Sequence, residues 1–241
     1  MKIALIGYGK MGKAIEHIAK ERGHQIVAII DQDNTGDIDS DRFRNADVAI
    51  EFTTPSTAVD NYKAVFRQGV PLVSGTTAWG KPEDLLDDIK AFDATFFWTS
   101  NFSVGVNIFF ALNKYLARMM NSFPQYNPSM LEIHHIHKLD HPSGTAVTLA
   151  EGIIDSTDRI TAWTEETDAP EGSMCIDHQR EGEVPGTHII RWDSPVDEIK
   201  IEHRAKSRDG FALGAVMAAE WIQGKKGLLS MDRMMADVLK L

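Results

Sequence analysis

Apolar and polar positions along the chain follow two rhythms, and the changeover falls near residue 103. Before it, short apolar runs alternate with stretches of helical spacing. Ile3–Ile6 is a strand-like run ending at Gly7. Met11, Ala14, Ile15, Ile18 and Ala19 then recur at the spacing of one helix face. Gln25–Ile30 and Ala46–Phe52 read as the next strands, and Thr57–Gln68 as a helix ended by Gly69. Pro71–Ser74, a helix over Pro82–Ala91 and Ala94–Thr99 continue the alternation. Strands alternating with helices predict a parallel sheet covered on both faces. The acidic stretch between Asp31 and Asp41 reads as a solvated loop.

After residue 103 the order changes. Val104–Met120 reads as a long helix with Ile108, Leu112, Tyr115, Leu116 and Met119 on one face. Met130–His135 reads as a strand and Ser143–Ile154 as a helix. Ser173–Arg180, Thr187–Trp192 and Asp197–His203 are further strands. Phe211–Ile222 is apolar nearly all round, which predicts burial or a partner. Ser230–Leu239 reads as a short amphipathic helix. The fold class is therefore α/β: a Rossmann-like doubly wound parallel sheet, plus a second α+β domain.

Composition narrows the function. A length of 241 residues suits one large domain or two modest ones. The formal net charge of −10 argues against a nucleic-acid or anionic-membrane surface. No apolar run reaches the roughly 18–20 residues of a membrane span, and the short apolar start is a poor secretory signal. The single Cys175 cannot form an internal disulfide, so a cytoplasmic setting is expected.

Two places carry chemistry. Gly7-Tyr8-Gly9-Lys10-Met11-Gly12 fits G-x-G-x-x-G between a strand and a helix, and a second strand ends at acidic Asp31. In that setting Gly7 permits the tight turn, Gly9 lets backbone approach a pyrophosphate, and Gly12 lets helix meet strand. Asp31 would accept from ribose hydroxyls. Gln32, Asp33 and Asn34 follow it with no cation for a 2′-phosphate, so NADH is expected over NADPH.

The second place runs from Glu132 to Ala146 and holds four of the nine histidines. Pro142-Ser143-Gly144-Thr145 reads as a helix start whose N–H groups suit a carboxylate. Lys138 adds positive charge, and histidine is the natural acid near neutral pH. His134 and His135 would point to opposite sides of a strand unless the chain bends. A zinc site using His134, His137 and His141 and a set of plain surface histidines are the competing readings. Pro142 disfavours the i, i+4 zinc ligation.

The run Glu132-Ile133-His134-His135-Ile136-His137-Lys138-Leu139-Asp140-His141-Pro142-Ser143-Gly144-Thr145-Ala146 resembles the E-x-H-H-x-x-K-x-D-x-P-S-G-T-A signature of the dihydrodipicolinate reductase family. Gly75-Thr76-Thr77, Asn101–Asn107 and Gly210–Val216 agree in order, so the resemblance spans essentially the whole chain. It implies a dinucleotide-binding domain over residues 1–103 completed by 212–241. It also implies a substrate-binding and tetramerising domain over 104–211. The implied reaction is NAD(P)H-dependent reduction of a small cyclic dicarboxylate in the diaminopimelate and lysine pathway, by a homotetramer with no metal.

By position, the resemblance makes His134 the catalytic acid and Lys138 the second essential residue. His135, Lys138, Ser143, Gly144 and Thr145 would hold substrate carboxylates. Gly7, Gly9, Lys10, Met11, Gly12 and Asp31 would hold the adenosine and phosphate end of the cofactor. Phe52 and Thr53 would line its cleft, with Gly75, Thr77, Ser100 and Phe102 toward the nicotinamide. Gln32 and Ser100 depart from the usual residues. A semialdehyde dehydrogenase using Cys175, and a dinucleotide sensor without turnover, are the alternatives.

Overall fold

The computed structural model describes residues 1–207 and 209–240. Arg208 and Leu241, which the sequence places within the two expected domains, lie outside the described residues. The chain divides into two compact units, Met1–Val104 with Asp209–Leu241, and Gly105–Arg208.

In the first unit the strands are β1 (Lys2–Ile6), β2 (Gln25–Ile30), β3 (Val48–Glu51), β4 (Leu72–Ser74) and β5 (Thr95–Trp98). Between them lie α1 (Lys10–Glu21), α2 (Asp41–Arg44), α3 (Pro55–Gln68) and α4 (Leu86–Ala91). After the second unit come α7 (Asp209–Trp221), β11 (Gly227–Ser230) and α8 (Met231–Leu239). All six strands pair in parallel, in the order β11-β5-β4-β3-β1-β2. Every residue of β3 is buried, as expected of a central strand covered on both faces. The chain runs from β1 to β2 on one side and returns to β3 on the other. That reversal opens a crevice at the carboxyl ends of β1 and β3.

Several details of this unit differ from the sequence expectations; the helix expected over Pro82–Ala91 opens as a 3₁₀ turn, Pro82–Leu85, before α4. The Asp31–Asp41 stretch is not a loop but a 3₁₀ segment, Gln32–Asp39, followed by α2. Asp31 caps it by accepting from the Gln32 N–H, and buried Ile38 and Phe43 anchor it beneath an acidic exterior. Helix α3 starts two residues earlier than read, because Pro55 has the fixed φ suited to a first helical turn. Strand β11, absent from the reading, gives the sheet its sixth member. The nearly all-apolar Phe211–Ile222 stretch is explained by α7: Ala212, Gly214, Ala215, Val216, Ala218 and Ala219 are buried in the core with Ile3, Leu5, Val73 and Phe102. A Cβ on Gly214 would lie 1.7 Å from the Phe102 carbonyl oxygen, so only glycine lets α7 sit there.

The second unit holds α5 (Val104–Met120, its first residue in the first unit), β6 (Asn127–His134), α6 (Gly144–Ile154) and β7 (Ala162–Thr164). β8 (Ser173–Arg180), β9 (Thr187–Asp193) and β10 (Glu198–Arg204) complete it. Its mixed sheet has the order β10-β9-β6-β8-β7. Met130, Met174, Ile176, Ile190 and Trp192 pack with Phe109 and Leu116 of α5 and Leu149 and Ile153 of α6. The face chosen for α5 from sequence is mostly the outer one: Ile108, Leu112, Tyr115 and Met119 are exposed. Val106, Phe109, Asn113, Leu116, Ala117 and Met120 face inward instead. The helix carries two apolar stripes, and periodicity cannot say which of them a sheet covers.

Candidate active site

Each unit is built around one end of its sheet. In the first, every residue proposed for the cofactor follows the carboxyl end of a parallel strand. Gly7 to Gly12 follow β1, Asp31 follows β2, Phe52 and Thr53 follow β3, Gly75 and Thr77 follow β4, and Ser100 and Phe102 follow β5. Gly7 has φ +87°, and a Cβ on it would lie 2.0 Å from the Phe52 carbonyl oxygen. A Cβ on Gly12 would lie 2.3 Å from the Gly7 oxygen, so the turn admits no side chain at either position. Gly9 caps α1 without a side-chain bond and has open space where its Cβ would be. Lys10 and Met11 open the helix, and no acid stands in its first turn. Helix geometry leaves those first N–H groups without intrahelical partners, and they carry the positive end of the dipole. These residues fit a dinucleotide diphosphate.

A buried carboxylate that the sequence reading passed over organises the strand ends beside this turn. Glu51 ends β3 fully buried. It accepts from the Thr53 N–H at 3.0 Å, Ser74 Oγ at 2.6 Å, Thr76 Oγ1 at 2.8 Å and the Thr53 hydroxyl. Burial pushes its carboxyl up against those stabilising bonds. The loops carrying Thr53 and Gly75–Thr77 are thereby tied to one anchor. Gly75 is wedged against two rings: its Cβ would lie 2.2 Å from Phe52 and 3.0 Å from Phe102. The sequence signal was a lone charge inside an apolar strand.

In the second unit β6 ends at His134, and a turn closed by the Lys138 N–H on the His135 oxygen follows. Alternation along β6 buries Glu132 and His134 on one side. Sheet register sets Glu132 opposite His188 of β9, and His134 opposite Arg180 of β8. The His134 and His188 rings meet edge to face at 5.1 Å. Glu132, fully buried, takes the Ser143 N–H on both oxygens at 3.2 and 3.1 Å. Its carboxylate also lies 3.5 Å from His134 Nδ1 and 3.5 Å from the Arg180 guanidinium. Arg180 donates in addition to the Asp140 carbonyl at 2.8 Å and the Lys138 carbonyl at 3.3 Å, which pins the Lys138 turn. Lys138 Nζ rests on Asp140 at 2.7 Å and holds that carboxyl below its usual range.

Ser143 is committed to the fold. Its hydroxyl accepts from the Ala146 N–H and bonds His188 Nε2 at 3.2 Å. Gly144 and Thr145 present the next N–H groups of α6, with open space over Gly144. His135 stands near His137, ring centroids 6.1 Å apart. His137 pairs with Glu183 and His141 with Glu165, so the structure does not gather His134, His137 and His141 into one site. Glu132, His134 and His188 do bring ligand atoms within 4.8 Å of one another. The same carboxylate is already engaged by Ser143 and a guanidinium. Arg180 and His188 lie far from His134 in sequence, and only strand pairing reveals them.

Burial pushes His134 below the ordinary imidazole value, while Glu132 pulls it upward. His188 is pushed down to about 3, chiefly by burial and then by the neighbouring imidazoles. Above about pH 6.5 the folded and unfolded chains both carry this ring neutral. As pH falls from there, the unfolded chain gains a proton that the folded one refuses, until about pH 3. Stability is therefore lost across that window, by up to about 1.4 kcal/mol per pH unit from this group. Urea unfolding of His188→Asn is expected to show a correspondingly flatter decline; an unchanged slope would reject His188 as the group responsible. Cys175, on β8, is half-buried, and burial and Asp177 push its thiol up, which is poor chemistry for a nucleophile.

Comparison with known proteins is consistent along the whole chain. The model for "Dihydrodipicolinate reductase, N-terminus" matches residues 1–102, and that for "Dihydrodipicolinate reductase, C-terminus" matches residues 105–235. A 4-hydroxy-tetrahydrodipicolinate reductase of Christiangramia forsetii is 44% identical, covering 100% of both chains. One of Lawsonia intracellularis is 33% identical over 94% of this chain and 95% of its own. Among solved structures, a dipicolinate-bound dihydrodipicolinate reductase from a Paenisporosarcina species superposes with a TM-score of 0.74. It is 21% identical and covers 95% of this chain and 97% of its own.

Proposed function

The chain belongs to the dihydrodipicolinate reductase family and acts as an NAD(P)H-dependent 4-hydroxy-tetrahydrodipicolinate reductase, and we propose that His134 is its proton donor. The reaction serves diaminopimelate and lysine biosynthesis. The observation that carries the assignment is the seating of His134: a buried imidazole held against a buried carboxylate, on the strand that leads to the α6 start.

Bound NAD(P)H supplies the hydride. The N–H groups of Lys10, Met11 and Gly12 hold its diphosphate, and the Asp31 carboxylate holds the ribose. Phe52, Thr53, Gly75, Thr77, Ser100 and Phe102 shape the nicotinamide end. Lys138 leaves Asp140 for a substrate carboxylate, which the Gly144 and Thr145 N–H groups and His135 also grip. Ser143 acts through the backbone it caps. The substrate's 4-hydroxyl leaves as water, so that one hydride and one proton in are balanced by one water out. His134 gives its proton to the electron-rich ring left after reduction, and Glu132 balances the imidazolium beforehand.

NADH is the preferred cofactor in this reading. The Asp31 carboxylate and the acidic 3₁₀ segment after it tolerate ribose hydroxyls and repel a 2′-phosphate. Assays with freshly made 4-hydroxy-tetrahydrodipicolinate are expected to give a Michaelis constant for NADH about tenfold below that for NADPH, the effect of roughly 1.4 kcal/mol. Equal or reversed constants reject the preference. NADH binding without oxidation would instead favour a sensor.

The working form in this reading is a cytoplasmic homotetramer. Its support is the exposed stripe Ile108, Leu112, Tyr115 and Met119 on α5, an apolar patch of the kind that marks association surfaces. Light scattering is expected to find a tetramer, and Leu112→Glu to yield smaller species. A monomeric wild type ends this part of the reading.

A further inference from the structure

Beside the active-site loop lies a second cluster of ligand-bearing side chains that the reaction does not use. His141 stands in the loop ahead of α6, His178 on β8, and Glu165 just after β7. His141 Nδ1 lies 2.7 Å and His178 Nδ1 3.5 Å from the same oxygen, Glu165 Oε2. The two imidazoles stack at 4.1 Å with their planes 15° apart. One ligand atom from each of the three residues lies within 4.8 Å of the others, at a partly exposed position.

We propose that His141, His178 and Glu165 form a surface site for one divalent transition ion of the zinc type. Two imidazole nitrogens and a carboxylate oxygen suit zinc, nickel or copper, not magnesium or calcium, which prefer all-oxygen sets. Three protein ligands leave a fourth position for water. Zinc bonds of about 2.0–2.1 Å in a tetrahedron place ligand atoms about 3.4 Å apart. The His178–Glu165 separation of 3.5 Å already meets that spacing, and the His141–Glu165 contact of 2.7 Å has to widen. Nitrogen lone pairs lie in the ring planes, so two nearly parallel rings cannot both aim at one ion. Binding therefore turns the exposed His141 ring out of its stack.

The placement gives the site a consequence. His141 is two residues from Ser143, and His178 two from Arg180, which grips the Lys138 turn. A bound ion would clip the loop carrying Lys138, Asp140 and Ser143 to β8 and to the segment after β7.

The test is calorimetric titration of Zn²⁺ into the full chain near neutral pH, with His178→Ala, Glu165→Gln and His141→Ala beside it. His141 lies on a loop, so that variant keeps the sheet intact. Wild type is expected to bind one ion per chain, and each variant at least about tenfold more weakly, since loss of even an outer-shell partner costs about that much. Zn²⁺ should raise the wild-type melting temperature and fail to do so in the variants. Binding should weaken in acid, where protons compete for the imidazoles. Absence of a one-to-one isotherm overturns the proposal. So does an isotherm that all three variants leave unchanged, which would put the ion elsewhere, as at Glu132, His134 and His188.

Discussion

Replacing His134 by glutamine is expected to lower kcat by about 10²–10⁴-fold, the usual worth of a positioned general acid, with NADH affinity unchanged. The two properties reside in different units. The glycine turn, Asp31 and the Glu51 network belong to the first unit and contain no part of His134. His134 sits in the second, where glutamine fills much of the imidazole's space and can still donate a hydrogen bond but cannot deliver a proton. Steady-state rates with NADH fluorescence titration read the two quantities apart. A His134→Gln enzyme with near-normal turnover would end the assignment. The wild type adds a pH signature. The acid must be protonated in the free enzyme, and burial holds His134 below the ordinary value of about 6.5. The alkaline limb of kcat/KM should accordingly fall below that pH.

Glu132→Ala is expected to be the most damaging single change to stability, at about 3–5 kcal/mol. It would strand the Ser143 N–H and the Arg180 guanidinium beside a buried gap where both oxygens of one carboxylate had served them. It would also free the start of α6 and the turn bearing Lys138. Denaturant unfolding measures the cost, and a loss below about 1 kcal/mol would show that Glu132 is not the anchor. Glu132→Gln isolates the charge. It keeps an acceptor for Ser143 but removes the attraction favouring the imidazolium, so the alkaline limb of kcat/KM should move to lower pH. A limb that stays in place would detach Glu132 from His134.

Local rules made much of this molecule legible. The run Ile3–Ile6, the glycines after it and the helix face of Met11, Ile15 and Ile18 announce β1, the turn and α1, because neighbours in sequence supply all the constraints. Ser143 could be read as a helix cap for the same reason. The unread parts depend on distant pairing. Glu132 lay within the recognised motif, but its purpose emerges only when β8 and β9 flank β6 and bring Arg180 and His188 beside it. Glu51 was hidden in an apolar run, and its donors come from the ends of β3 and β4. The buried side of α5 was illegible for another reason: both stripes satisfy the helical period, and the sheet alone chooses between them. The Asp31–Asp41 stretch failed because a dense acidic surface masked two apolar anchors, Ile38 and Phe43.

The split make-up of the first unit bears on how the chain is made. Its core includes α7, and β11 pairs with β5, yet both follow the entire second unit in sequence. On the ribosome, Phe97, Phe102 and the inner face of α1 emerge well before the helix that covers them. The wait is the translation time of the second unit, roughly 5–20 s at ordinary elongation rates. During it the edge of β5 lacks its partner strand and the pocket for Gly214 stands open. The second unit's helices and strands, by contrast, are all contiguous and can pack as soon as β10 emerges. Vectorial synthesis thus lets the later unit finish folding before the earlier one, leaving the nucleotide-binding half as the client most exposed to chaperones.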